Sequence, residues 1–264
     1  MSARNGMMTV PVVQVGFAEH VAEIALCAGP LNLVTRELLR DLNGAIDEVA
    51  TRADVRCVIL HGGAGRAFCA GSDMRGFAAI RHDAGEQKIL YEDMVLRNLA
   101  ALPMPTIAAI DAPALGGGFE LALACDLRVL RRGVTVAMPE ARIGGLAANG
   151  ALRLTRLVGA ARAKELLFTG DSVAAEQALA WGIVNRVSDG PALDAARSLA
   201  AAIAARGPLS NRFAKRLVQA AQDLPLDAGL GMSTALQQRI FESDDLHEGV
   251  AAFFAKREPA FKGR

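Results

Sequence analysis

The chain has 264 residues and a mass of 27.7 kDa, enough for one large domain or two small ones. Hydrophobic residues make up 52% and charged residues 22%, which excludes wholesale disorder. Lys plus Arg number 29 against 28 for Asp plus Glu, and a net charge of +1 argues against both a basic nucleic-acid surface and an electrostatic membrane anchor.

Residues 10–17 and 21–27 are short β-rich runs joined by a polar turn, which predicts an opening hairpin. Thr35 is placed to cap a helix through residue 49, with Leu38, Leu39, Leu42, Ile46 and Val49 on one stripe. Residues 55–60 are continuously apolar and read as a buried strand, which runs into His61-Gly62-Gly63-Ala64-Gly65. A helix is predicted over 86–102, ended by Pro103 and Pro105, with the next strand at 106–110. Gly116-Gly117-Gly118 then opens a short apolar helix over 119–124, and 127–130 and 134–137 are two more strands. Beyond residue 152 helical patterns dominate, at 160–168, 174–180, 192–205, 209–222 and 228–241, with one strand at 183–187. A β/α-alternating first part, to about residue 190, is thus followed by an all-helical tail. No repeat of fixed length and no long linker divides the two.

Cys27, Cys57, Cys69 and Cys125 form no CxxC pair, so the sequence suggests neither a zinc site nor a disulfide framework. His20, His61, His82 and His247 show no HxxxH or HExxH spacing. The first nine residues contain Arg4 but no apolar stretch behind it, and the longest apolar run, 199–205, is far short of a membrane span. The expectation is a cytoplasmic protein with neither membrane nor nucleic acid as partner.

Two segments spend backbone freedom where a core would not: Ala67-Phe68-Cys69-Ala70-Gly71-Ser72-Asp73-Met74 and Ala112-Pro113-Ala114-Leu115-Gly116-Gly117-Gly118-Phe119-Glu120. Three glycines at a strand-to-helix turn leave unshielded N–H groups at the positive end of the helix, able to bind a phosphate or a developing oxyanion. A tight turn between a closely packed strand and helix accounts for them equally well. Neither cluster matches GxxxxGK[ST] or GxGxxG, and Ser72 lacks the following glycine of a GxSxG elbow.

Two carboxylates carry more information. Glu120 sits among Phe119, Leu121 and Ala122, where its ionised form is poorly solvated, although the helix dipole favours a negative charge in the first turn. Glu140 follows Met138-Pro139 among small and apolar residues. Such a pair suits general acid/base chemistry near neutral pH, and equally either residue is an ordinary helix cap or surface acid.

The order of motifs resembles the enoyl-CoA hydratase/isomerase (crotonase) superfamily over nearly the whole chain. The matching segments are 56–60 through 68–73, 105–110 through Gly116-Gly117-Gly118-Phe119-Glu120-Leu121 and on to Asp126, and Met138-Pro139-Glu140. Leu154-Thr155-Arg156-Leu157-Val158-Gly159, residues 167–170, 180–185 and the ending 254–261 follow in the same order.

The resemblance implies an α/β spiral of ββα units over residues 1–190 that carries an acyl-CoA site. A helical region over 191–264 would build homotrimers, often paired into hexamers. It implies that the backbone N–H groups of Ser72 and Gly117 form an oxyanion hole for a thioester carbonyl. It also implies that Glu120 and Glu140 hold the water added across a 2-enoyl-CoA in fatty-acid or related catabolism. Ala70, Gly71, Asp73, Met74, Gly116 and Ala148 would line the substrate, and Lys256 and Lys262 would approach the CoA phosphates. No cofactor beyond the CoA of the substrate is implied. The segment Gly144-Gly145-Leu146-Ala147-Ala148-Asn149-Gly150-Ala151 differs from the Pro-Gly-Ala-Gly-Gly-like turn of many hydratases, and Asn149 cannot serve as the acid that some isomerases carry there. Hydratase is therefore the first reading and enoyl-CoA isomerase, with Glu140 as proton shuttle, the second. A non-catalytic acyl-CoA-binding member of the fold is the alternative from another class.

Overall fold

The computed structural model describes residues 11–264; the start of the predicted hairpin at Val10 and the reading of the first nine residues lie outside the described residues. β1 (Val13–Ala18) and β2 (Val21–Leu26) form the expected antiparallel hairpin. α1 (Arg36–Thr51) follows, its Thr35 side chain accepting from Leu38 N–H and its five-residue apolar stripe buried as the spacing predicts. Each fully buried aliphatic side chain there contributes about 1.5–3 kcal/mol. β3 (Cys57–His61), α2 (Leu90–Ala101), β4 (Thr106–Ile110), β5 (Ala114–Leu115), α3 (Gly117–Ala124), β6 (Leu127–Arg131) and β7 (Thr135–Ala137) come next. After them stand α4 (Ala148–Thr169), β8 (Val173–Ala174), α5 (Ala175–Ala180) and β9 (Arg186–Ser188).

Among the described residues the main sheet has the order β1-β2-β3-β4-β6-β9, parallel from β2 onward, and β5-β7-β8 form a smaller second sheet. Each turn of the chain therefore lays one strand in the main sheet, one strand or bridge in the second layer, and a helix outside. β4, β5 and α3 make one such turn, and β6, β7 and α4 the next. The earlier turn contributes only the bridges Val34↔Ser72 and Cys69↔Ala114 to the second layer. This is a spiral of ββα units, and every turn returns a loop to the same side.

β3 and β4 read as unbroken apolar runs because both of their faces are covered. Val58, Leu60, Ala108 and Ile110 join the core under α1, α2 and α3, while Cys57, Ile59, Ile107 and Ala109 pack against α6 (Ala192–Ala204). The alanine face of α6, Ala192, Ala196 and Ala200, allows that close approach, and Asp111 accepts from the Ala192 and Leu193 N–H groups at 2.5 and 3.0 Å to cap the helix from the loop after β4. The alanine face of this first tail helix is thus used against the sheet.

α7 (Pro208–Ala220), α8 (Leu226–Phe241) and α9 (Asp244–Ala255) complete the tail. The sequence reading has no counterpart for α9, although Ser243 caps it and two aspartates occupy its first turn. α4 extends twelve residues earlier than its predicted start at residue 160 and is broken at Gly159, whose φ of 78° admits no helix. Among the described residues no helix is long and apolar enough to cross a membrane.

The loop after β3 is held by a side chain instead of a ladder. Asn32, fully buried, accepts from Ala28 N–H at 2.9 Å and donates to the carbonyls of Gly62, Ala67 and Phe68 at 2.9, 3.2 and 3.1 Å.

Candidate active site

Glu120 lies in the first turn of α3 and Glu140 opens a short 3-10 turn after β7, so two successive turns of the spiral bring them to one place. Between them runs Gly116, with φ 52° and ψ −126°, where a Cβ would stand 2.6 Å from Glu140 Oε1. The missing side chain is what admits the Glu140 carboxyl.

Glu120 is 8% exposed, and its Oε1 accepts from Gly150 N–H at 2.7 Å. Burial pushes its carboxyl up to about 7; the Gly150 bond opposes this, and the charges of Glu92 and Glu140 reinforce it. Glu140 is raised as well, first by burial and then by Glu92, and its Oε2 is a buried atom with no hydrogen-bond partner among the described residues. An orphaned carboxylate oxygen and a nearly buried neighbour titrating near neutrality are the features of a proton-transfer site.

Across from them, the N–H groups of Ser72 and Gly117 have no acceptor among the described residues. Gly117 opens α3, where no carbonyl four residues back completes a helical turn. Ser72 is held in the second layer by its bridge to Val34. Gly71 precedes it with φ 93°, and a Cβ there would stand 2.9 Å from the Leu115 carbonyl oxygen. Gly118 presses still closer: its Cβ would lie 2.1 Å from the Cys69 carbonyl oxygen. Gly118 thus meets the packing reading of the glycine triplet, while Gly117 presents an N–H group without an acceptor among the described residues.

Other residues singled out from sequence stand around this centre in varied roles. Ala70 donates its N–H to the Leu31 carbonyl at 2.9 Å, and Met74 is exposed. The Asp73 carboxylate is occupied by Arg75, which holds it down at about 2. Ala148 begins α4 on the surface, beside Asn149, whose amide bridges Asp93 of α2 and Arg153 at 3.0 and 2.6 Å. Lys256 and Lys262 are exposed, and among the described residues neither side chain bonds to Glu120 or Glu140; Arg56, just before β3, binds the Phe261 carbonyl and ties the tail there. His61 turns to Glu23, 3.9 Å away, and its Nδ1 accepts from Gly63 N–H, so it forms no triad with Ser72.

A cavity of ≈ 300 Å³ opens between α1, the 73–80 loop and α2. Val34, Leu39, Phe77 and Ile80 give it an apolar wall, and Lys88 and Glu92 a charged one. Neither Glu120 nor Glu140 lines it; Glu92 is the link, because its Oε1 lies 3.2 Å from where a Cβ on Gly117 would stand. The sequence reading missed this pair. Its signal was a glutamate at the head of the α2 apolar stripe Glu92, Val95, Leu96 and Leu99, one turn after a lysine. Among the described residues no three His, Cys, Asp or Glu side chains cluster as metal ligands.

The fold and the comparisons with known proteins define an enzyme of lyase or isomerase type. Residues 16–264 match the family described as Enoyl-CoA hydratase/isomerase, and the chain belongs to that family, within the crotonase superfamily. YngF of Bacillus subtilis strain 168, provisionally named an enoyl-CoA hydratase/isomerase, is 37% identical over 249 residues, 93% of this chain and 95% of its own. The enoyl-CoA isomerase/hydratase fer4 of Mycosarcoma maydis is 34% identical over 248 residues, covering 88% of this chain and 89% of its own. The crystal structure of enoyl-CoA hydratase from Bacillus anthracis superposes with a TM-score of 0.91 at 33% identity, over 96% of this chain and all of that one. Members of the family act on acyl-CoA thioesters.

Proposed function

We propose that the protein is a 2-enoyl-CoA hydratase. What supports this reading most is the pairing of two glutamates, both raised by burial, with two N–H groups that have no acceptor among the described residues. The thioester oxygen accepts from Ser72 and Gly117 N–H. As water adds to C3, negative charge builds on that oxygen, and each preorganised donor contributes about 2.7–4 kcal/mol to stabilising it. Glu120 takes a proton from the water, and Glu140 delivers one to C2.

That division of labour requires the pair to carry one proton, placed on Glu140. Burial by the protein alone favours the proton on Glu120. An acyl group laid over Glu140 removes the remaining water from a half-buried carboxyl and favours its neutral form, while Gly150 N–H continues to favour the Glu120 anion.

The test is hydration of crotonyl-CoA, followed as loss of the conjugated enoyl-thioester absorbance. Wild type turns it over, and Glu120→Gln and Glu140→Gln each lower the rate by about 10²–10⁴-fold. Isomerisation needs only one group that takes a proton from C2 and returns it at C4, so activity on a 3-enoyl-CoA survives Glu120→Gln better than Glu140→Gln. A wild type inert toward 2-enoyl-CoAs but efficient on 3-enoyl-CoA makes the protein an isomerase instead, and binding of CoA thioesters with no turnover of either makes it a binding member of the fold.

A further inference from the structure

The charged pair formed by Glu92 of α2 and Lys88 of the turn before it has no part in the chemistry above, yet it stands beside it. Glu92 is 9% exposed, and both its Oε1 and the Ser72 hydroxyl lie within 3.4 Å of the space that a side chain on Gly117 would fill. Lys88, one turn earlier, donates to Glu92 Oε2, and Oε1 accepts no hydrogen bond from the described residues. Glu92 lines the cavity and its Oε1 keeps some solvent exposure, so a group that displaces water from it must supply a hydrogen bond in return. Lys88 likewise has ammonium protons left over after one bond. The other charged groups on the cavity wall are already engaged: Asp73 by Arg75, and Arg36 by the Gln87 carbonyl at 2.9 Å and the face of Tyr91.

We infer that the acyl group recognised here carries a hydroxyl on the carbons next to the reacting double bond, read by Glu92 and Lys88 together. This rests on the acyl-CoA reading above and adds the class of substrate. A hydroxyl donates to Glu92 Oε1 and accepts from Lys88, satisfying both ends of a neutral pair. A plain alkyl chain expels water from the pair and returns no hydrogen bond. A second carboxylate on the acyl chain meets Glu92, and an amine meets Lys88. The apolar wall of Val34, Leu39, Phe77 and Ile80 takes the carbon skeleton, and the cavity of ≈ 300 Å³ fits a short one.

Binding of unreactive saturated thioesters to the intact assembled protein, measured by titration calorimetry, tests this without turnover. The probes are butanoyl-CoA, 4-hydroxybutanoyl-CoA and succinyl-CoA. The hydroxylated thioester binds about tenfold or more tightly than butanoyl-CoA, the effect of one hydrogen bond to a charged group. In the double variant Lys88→Met, Glu92→Leu the order inverts; should that variant fail to fold, the wild-type order alone decides. Equal or tighter binding of butanoyl-CoA overturns the inference and leaves the hydratase reading standing. Succinyl-CoA binding tightest overturns it too, by assigning Lys88 to a carboxylate. If none of the three binds, the acyl-CoA site itself is refuted along with it.

Discussion

Gly150 N–H reaches Glu120 Oε1 at 2.7 Å across two turns of the spiral, from the first turn of α4 to the first turn of α3. The segment that delivers it is the one whose sequence departs from the turn of many hydratases. It nonetheless supplies a backbone donor to the Glu120 carboxyl, and the side chain of Asn149 ties the same segment to α2 through Asp93.

This relationship sets a pH dependence. Hydration as proposed needs one proton on the pair, and that state exists between the first ionisation, at the raised value of Glu140, and the last, at about 7 on Glu120. The pH profile of kcat/KM on a 2-enoyl-CoA is therefore a bell whose alkaline limb falls through about pH 7. Isomerisation by ionised Glu140 alone shows no such fall. The same group affects stability: raised when folded, it stabilises most below its ordinary 4.5, and that contribution is lost as pH rises to about 7. Glu120→Gln accordingly raises the melting temperature relative to wild type at pH 8, and not at pH 4. A wild-type advantage at pH 8 contradicts it.

The glycine triplet divides into two roles that substitution separates. At Gly117 the nearest atoms to a Cβ are side-chain ends of Glu92, Ser72 and Val34, at 3.2, 3.4 and 3.7 Å, and none is backbone. Gly117→Val therefore yields a folded, assembled protein that has lost most of its activity, because the branched side chain fills the approach to the N–H pair. At Gly118 a methyl group collides with the Cys69 backbone at 2.1 Å, so Gly118→Ala gives little soluble protein. Circular dichroism and the crotonyl-CoA assay check both; an active Gly117→Val enzyme removes the anion-site role.

The expectation of assembly rests on what the tail leaves uncovered. α6 spends its alanine face on the sheet, but Phe241, Phe253 and Phe254 remain 66%, 77% and 78% exposed, with Leu226 beside them in the tail at 76%. Large apolar side chains left open on consecutive helices suit a subunit interface. The expected species is a trimer or hexamer; light scattering that gives a stable 27.7 kDa particle at micromolar concentration refutes it.

The hairpin, the capped α1, the strand at 106–110 and the glycine-opened α3 were readable because local rules govern them: alternation, a threonine cap, a flanking proline, a turn that only small residues allow. The apolar neighbours of the two glutamates left an ordinary cap or surface acid open, and it was the resemblance of the surrounding motifs that singled the pair out. The short strands β5 and β8 were not, since two residues carry no period, and their existence depends on a second layer assembled from distant turns. Glu92 was hidden for a related reason. On its own helix it is one acid beside one lysine, and only the approach of α3 gives it meaning.

Asn32 gathers three carbonyls and one N–H from separate stretches of chain onto a single amide. The contour of the loop after β3 is thus dictated from outside the loop, and its exposed residue Ala64 has no share in the arrangement. Position 64 is therefore a graft point: a short peptide or a fluorophore attached there reports on the loop that leads to Ser72 without entering the hydrogen bonds that shape it.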